Sequence, residues 1–154
     1  MTAPAAVAID LDGALGDTSA LWHAWLESAT GLLGIEAAEL PSDRGEAATE
    51  LDRRGAGNWR ALLERFSEER AAVYLRRDPA VGAALRSLVE SGCRLGVFTD
   101  APEELARVAL DQLGAGRRIE ALEAGADALE RLLELLGAGT PVVRARGELL
   151  ELAA

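Results

Sequence analysis

The stretch Val7-Ala8-Ile9-Asp10-Leu11-Asp12-Gly13 decides the fold, because an apolar run stops abruptly at two carboxylates and a glycine. A short apolar run of this kind is typical of a strand that is buried on both faces of a parallel sheet. In open parallel sheets, ligands bind where the strands end at their carboxyl edge. The sequence therefore predicts that Asp10 and Asp12 lie close together at such an edge. A metal ion, a hydrogen-bonding loop or a cation must then offset their mutual repulsion.

The bulk composition limits the class of protein. The chain has 154 residues, of which 49% are hydrophobic, and this is enough for one domain with a buried core. Its net charge of −10 disfavours general attraction to nucleic acid or anionic lipid, so we expect neither a nucleic-acid nor a membrane partner. The single cysteine excludes an internal disulfide, and no basic region precedes the first apolar run. We therefore expect a cytoplasmic protein.

The rest of the chain alternates between helical and strand-like patterns. Apolar residues at helical spacing predict helices at Ser19–Leu33 and Trp59–Arg76, with a shorter helix at Gly45–Arg53 between them. Asp17 or Thr18 is expected to cap the first of these helices. From position 78 onward, helices alternate with apolar runs, which is typical of a parallel sheet with right-handed crossovers. These runs predict strands at Arg94–Thr99, Ile119–Leu122 and Pro141–Val143.

This order of elements predicts an α/β fold with a Rossmann-like parallel sheet of about four strands and helices on both faces. Residues 1–16 and 78–154 form the core in this interpretation. Residues 17–77 read as entirely helical and are too long for a single crossover, so we interpret them as a small cap inserted after the first strand. The three tryptophans, Trp22, Trp25 and Trp59, are expected to form the interior of this cap.

These features resemble the haloacid dehalogenase superfamily, whose members are mostly phosphatases. The first motif of that family is an apolar strand that ends in Asp-x-Asp-Gly, here Ala8–Gly13. The second motif is an apolar strand that ends in Thr or Ser, here Leu95–Thr99. A helical cap between these two motifs is one of the standard arrangements of the family, so the resemblance extends over the whole chain.

The resemblance implies a role for each matching residue. Asp10 would be the nucleophile that attacks a phosphoryl group, and Asp12 would protonate the leaving group and later activate water. Thr99 would hydrogen-bond the phosphoryl oxygens of a small phosphorylated substrate. A Mg²⁺ ion would be held by Asp10 and by the backbone carbonyl of Asp12. A carboxylate can form an aspartyl-phosphate, and a second carboxylate can serve as acid and base if its pKa is raised.

The sequence departs from the third and fourth motifs of the family. The third is a lysine that neutralises the nucleophile and the phosphate, whereas all 16 basic residues here are arginines. The fourth is one or two acids just after the last strand, which complete the magnesium site. Here that strand is followed by Arg144-Ala145-Arg146. Magnesium prefers six oxygen ligands, so the resemblance implies only a weak metal site.

One hypothesis is that the chain is nevertheless an active magnesium-dependent phosphomonoesterase. Arg117, Arg118 or Arg144 would then stand in for the lysine, because arginine binds phosphate bidentately. Glu120 or Glu123 would help to hold the metal.

The hypothesis that we favour is that Arg144 or Arg146 pairs with Asp10 and Asp12 and occupies the place of the metal, so that phosphohydrolase activity is weak or lost. In a third hypothesis the arginines form a pocket that binds an anion without turnover. A non-catalytic domain of this kind could also bind a protein or a second copy of this chain, through the exposed part of the cap at Pro41–Gly57. Asp100 follows Thr99 and would either line the phosphate site beside Arg144 or cap the helix that starts at Pro102. We favour the cap.

Overall fold

A four-stranded parallel sheet lies at the centre of the structure, a computed structural model that describes residues 3–154. The strands lie side by side in the order β3-β2-β1-β4. They span Ala6–Asp10 (β1), Arg94–Thr99 (β2), Ala121–Ala124 (β3) and Val142–Val143 (β4). The predicted α/β class and parallel sheet are thus confirmed. The third strand begins two residues later than predicted, because its pairing with β2 starts at Ala121, beside Gly96.

Seven α-helices occur within residues 3–154, and they cover both faces of the sheet or pack beside it. Their bounds are Ser19–Leu33 (α1), Arg44–Arg53 (α2), Trp59–Tyr74 (α3), Pro79–Glu90 (α4), Glu103–Gln112 (α5), Ala128–Leu136 (α6) and Arg146–Ala153 (α7). In the described part of the chain, no helix combines the length and the apolar character that crossing a membrane requires.

Alternating side chains of the strands pack into two separate core layers, one on each face of the sheet. Val7 and Ile9 of β1 point into the larger layer, which is closed by residues of α4, α5 and α7. Ala8 of β1 and Phe98 of β2 point to the opposite face, where they meet α6. This period of two is what a strand buried on both faces requires. The strands therefore end together at one carboxyl edge, with Asp10 beside Phe98 in the register.

Helices α1, α2 and α3 share a third cluster of buried side chains, to which α5 adds Leu105. Trp25 lies at its centre, with ring centroids 5.2 Å from Trp22 and 5.9 Å from Trp59. The indole N–H of Trp59 donates to Asp52 at 2.9 Å, so this buried polar group is satisfied. The expected tryptophan interior is thus confirmed. Whether residues 17–77 form a separate cap domain stays a prediction.

Candidate functional site

The candidate site is built on the turn that follows β1. Residues Leu11–Leu15 form a wide turn that is not a regular helix, because the dihedral angles of Asp12 and Gly13 are not helical. The N–H of Gly16 donates to the carbonyl oxygen of Leu11 at 3.1 Å, and the N–H of Asp12 donates to Oδ1 of Asp10 at 3.1 Å. Gly13 adopts φ +106°, which only glycine tolerates readily. A Cβ at Gly13 would also lie 2.6 Å from the backbone oxygen of Arg144, so the turn fits closely against the segment that follows β4. The end of β1 and the end of β4 therefore meet at this point.

Asp12 is the centre of a dense hydrogen-bond network. Its Oδ1 accepts from both the backbone N–H and the hydroxyl of Thr18, each at 2.7 Å. Its Oδ2 accepts from the hydroxyl of Thr99 at 3.0 Å and from Nη2 of Arg44 at 2.5 Å. A carboxylate offers about four lone-pair sites. Protein donors therefore use the full accepting capacity of Asp12.

Arg44 is the residue that organises this network, although it lies 32 positions from Asp12 in the chain. It is 7% exposed. Its Nη1 donates to the Thr18 hydroxyl at 2.6 Å, while Nη2 and Nε donate to Oδ1 of Asp100 at 2.8 and 3.1 Å. We refer to Arg44, Asp12, Thr18, Thr99 and Asp100 as the Arg44 network. A buried guanidinium is tolerated here because two carboxylates and a hydroxyl accept its hydrogen bonds.

Arg44 is the first residue of α2, and the position of this helix end places it in the site. Asp43 caps this helix by accepting from the N–H of Glu46 at 2.9 Å, and the N–H of Arg44 itself donates to Oδ2 of Asp100 at 3.0 Å. Gly45 lets the helix approach closely, because a Cβ there would lie 2.6 Å from the backbone nitrogen of Ala126. The first turn of α2 is thus docked on the loop that follows β3.

The two carboxylates of the first motif have pKa values shifted in opposite directions. Burial raises the pKa of Asp10 to about 6, against the lowering effects of the Asp12 N–H and of Arg144. Burial would also raise the pKa of Asp12, but the charge of Arg44 and the hydrogen bonds from Thr18 outweigh it, so that this pKa is lowered. Asp12 is therefore held ionised, whereas Asp10 takes up a proton more easily than an ordinary aspartate.

Arg144 lies beside Asp10, with Nη1 3.7 Å from Oδ2. Its side chain is 59% exposed, and its guanidinium lies 5.4 Å from the ring centroid of Phe98. Arg146, the other residue that we considered as a partner of the motif, pairs instead with Asp78, with Nε 2.6 Å from Oδ2. The two carboxylates thus meet two different arginines, and the sequence indicated only the more exposed one.

One expectation about a helix cap is corrected by the structure. Asp100 does not cap the helix after Pro102, because both of its carboxylate oxygens accept from Arg44, and α5 has no side-chain cap. At the start of α1, Asp17 accepts from the N–H of Ser19 at 2.9 Å, whereas the hydroxyl of Thr18 is turned to Asp12.

The acids that we considered as additional metal ligands are engaged elsewhere. Glu120 accepts from Arg94 at 2.8 Å, and Glu123 pairs with Arg131 at 3.5 Å. No group of three or more His, Cys, Asp or Glu side chains within residues 3–154 is arranged to hold a metal ion. The donor set around Asp10 therefore does not fit Mg²⁺, which prefers six oxygens and is repelled by a neighbouring guanidinium.

A cleft of about 430 Å³ opens above Asp10 and Thr99. Arg144 and the ring of Phe98 line one part of it, but most of its charged side chains are acidic. These are Asp10, Asp43, Glu46, Asp100, Asp127 and Glu130. A phosphate dianion that enters this cleft meets more negative than positive charge, which opposes its binding.

Arg44 and Thr18 are the two site residues that sequence reasoning missed. The sequence predicted the helix at Gly45–Arg53, and Arg44 lies directly at its start in the structure. No local pattern indicated that Arg44 contacts Asp12.

The comparisons with known proteins bear on the fold. No protein-family model and no curated protein matches the chain. The solved structure of CbbY from Rhodobacter sphaeroides in complex with phosphate superposes with a TM-score of 0.65 at 18% identity, over 96% of this chain and 82% of that chain. A CbbY mutant from the same organism, in complex with xylulose 1,5-bisphosphate, gives 0.64 and 20% over the same shares.

A third solved structure, a haloacid dehalogenase-like family hydrolase from Streptococcus pneumoniae, gives a TM-score of 0.56 at 16% identity. The match covers 90% of this chain and 73% of that chain. These likenesses extend over nearly the whole chain, and they agree with its α/β architecture around a parallel sheet. The chain therefore has the fold of the haloacid dehalogenase-like hydrolases.

Proposed function

We propose that this chain is a haloacid dehalogenase-like domain in which phosphohydrolase activity is weak or lost. The observation that carries the proposal is that Asp12 accepts four hydrogen bonds from protein groups, one of them from the buried Arg44. A carboxylate with its lone pairs filled has no free position from which to reach the leaving group of a substrate. The Asp-x-Asp-Gly turn then has a structural role, because Asp12 links the end of β1 to Thr18, Arg44 and Thr99 through hydrogen bonds.

The protonation states support the same conclusion. A general acid must hold a proton at the working pH, and the lowered pKa of Asp12 keeps it ionised instead. A nucleophilic carboxylate must be ionised, and Asp10, with a pKa of about 6, is still mostly ionised at neutral pH. The pKa of Asp12 is therefore the one that opposes the phosphatase roles.

The proposal is tested by hydrolysis of an aryl phosphate and of a panel of sugar phosphates, with and without Mg²⁺. Asp10→Asn serves as the matched control, because it removes the nucleophile with little change of shape. We expect turnover at most slightly above that of Asp10→Asn, and no heat of magnesium binding by calorimetry. Magnesium-dependent turnover with a kcat of about 1 s⁻¹ or more that disappears in Asp10→Asn would contradict the proposal.

The alternative function is an active phosphomonoesterase in which Arg144 replaces the lysine of the family. The observation in its favour is that Arg144 lies 3.7 Å from Asp10 and keeps 59% of its side chain exposed, so that it is available to a phosphoryl group. This alternative requires turnover that is lost in both Asp10→Asn and Arg144→Ala. Turnover that survives in Arg144→Ala excludes this role of Arg144.

A further inference from the structure

A second cleft, away from the Arg44 network, is lined by three arginines. Its volume is about 500 Å³, and it is formed by Arg77, Arg117 and Arg118 together with Asp111, Gly114 and Gly116. We call it the arginine cleft. None of these residues lines the cleft above Asp10.

The three arginines of the cleft form no ion pair in the described part of the chain, although the chain is strongly acidic. Nine of the 16 arginines form ion pairs within residues 3–154. The chain carries 26 acidic residues, yet Arg77, Arg117 and Arg118 form no ion pair in the described part of it. Asp111 lines the same cleft without pairing with any of them. With three arginines and one aspartate, the lining carries an excess of positive charge, which favours an anion in the cavity.

The backbone around the arginine cleft is shaped to bring these groups together. Arg77 lies across Gly114, where a Cβ would be 3.1 Å from its Cζ. At Gly116 a Cβ would lie 2.9 Å from Oδ1 of Asp111. The 3-10 turn at Gly116–Arg118, in which the N–H of Arg118 donates to Ala115 at 3.1 Å, carries the other two arginines. A side chain at either glycine would displace the charged groups that form the cleft.

We propose that the arginine cleft binds the phosphate group of a small molecule. Guanidinium groups bind phosphate oxygens bidentately, and a dianion offsets most of the charge of three arginines. Asp111 is placed to accept a hydrogen bond from a hydroxyl group of the same ligand. The whole chain has a net charge of −10 and repels anions, so such a ligand is drawn to this cleft rather than to the surface in general.

The test is a calorimetric titration with inorganic pyrophosphate as the probe. We expect saturable binding that weakens with added salt. The double variant Arg117→Ala/Arg118→Ala should lower the affinity by about tenfold or more, as should Arg77→Ala. Arg86→Ala is the matched control, because Arg86 is also an exposed, unpaired arginine in the described structure but lies on α4, outside the cleft. Its affinity should equal that of the unmodified chain.

Three outcomes would overturn the inference: no saturable binding, an equal loss in Arg86→Ala, or a loss only in Arg144→Ala, which would locate the anion at the cleft above Asp10. Arg77→Ala keeps the test decisive if the double variant does not fold. Binding measured in Asp10→Asn separates this inference from the proposed function. The arginine cleft should bind pyrophosphate there unchanged, whether or not the unmodified chain hydrolyses phosphate esters.

Discussion

Asp10 and Asp12 are two residues apart, yet their surroundings shift their pKa values in opposite directions. The difference comes from what faces each carboxylate. Asp12 meets a buried guanidinium at 2.5 Å, whereas Asp10 meets a mostly exposed one at 3.7 Å. The electrostatic effect of an arginine depends on its burial as much as on its distance, because water screens an exposed charge.

The raised pKa of Asp10 predicts a pH dependence of stability. Its pKa is about 6 in the folded chain against an ordinary value of 3.8, so the folded state binds more protons between these values. The free energy of unfolding should therefore fall as the pH rises through this window. In Asp10→Asn this part of the slope should vanish. Urea unfolding of both proteins across the window is the measurement, and equal slopes would contradict the assignment.

At the residue scale, the sequence predicted the part of the site that depends on local pattern. Asp10 and Thr99 each follow a buried apolar run, and parallel strands end at the same edge, so their proximity could be inferred. Arg44 lies in a polar stretch without periodicity, far from Asp12 in the chain. Nothing in a local pattern encodes which distant carboxylate such a residue will contact.

At the element scale, the docking of α2 depends on Gly45. Backbone atoms of Gly125 and Ala126 lie within 3.0 Å of a Cβ added there, and backbone moves away less easily than a flexible side chain. The helix would have to shift, and the contacts of Arg44 would shift with it.

Gly45→Ala should therefore lower the free energy of unfolding by about 1–3 kcal/mol. Gly31→Ala is the matched control, since Gly31 lies in α1 with nothing within 4 Å of an added Cβ. That change should instead raise stability by about 0.5–1 kcal/mol, because alanine favours the helix. Chemical denaturation measures both. If the two variants change stability in the same direction, the close approach at Gly45 does not constrain α2.

Helices and strands with a strong apolar periodicity could be predicted from the sequence. The bounds of a strand that depend on hydrogen bonding to a neighbouring strand were less predictable. The strands β1 and β2 and the helix α1 follow from apolar patterns that repeat with periods of two and 3.6 residues. The strand β3 was predicted two residues early, because its extent is set by where it pairs with β2. The wide turn at Leu11–Leu15 had no pattern of its own and was not predicted.

At the scale of the whole molecule, all three tryptophans lie in the buried cluster of α1, α2 and α3. Tryptophan fluorescence therefore reports on these helices, whereas far-UV circular dichroism reports on the entire chain. The Arg44 network connects the cluster of α1, α2 and α3 with the parallel sheet, because Arg44 is on α2 and Asp12 follows β1. A comparison of the two spectroscopic signals therefore measures whether this cluster and the sheet unfold together.

Arg44→Ala should weaken that coupling. It leaves Asp12 partly buried without its cation, which costs about 3 kcal/mol or more. The fluorescence transition should then occur at lower denaturant than the circular dichroism transition, whereas in the unmodified chain the two should coincide. Arg144→Ala is the control, because its ion pair is longer and more exposed. Coincident transitions in Arg44→Ala would show that other contacts hold the regions together.

The close fit of Gly13 against the oxygen of Arg144 has a consequence for how such sequences are classified. The position excludes every side chain on steric grounds alone, and the neighbouring Asp12 joins two parts of the fold through its hydrogen bonds. The Asp-x-Asp-Gly residues therefore have a structural role in this chain, whether or not they also have a catalytic one. A signature search that counts these letters alone does not distinguish the two roles.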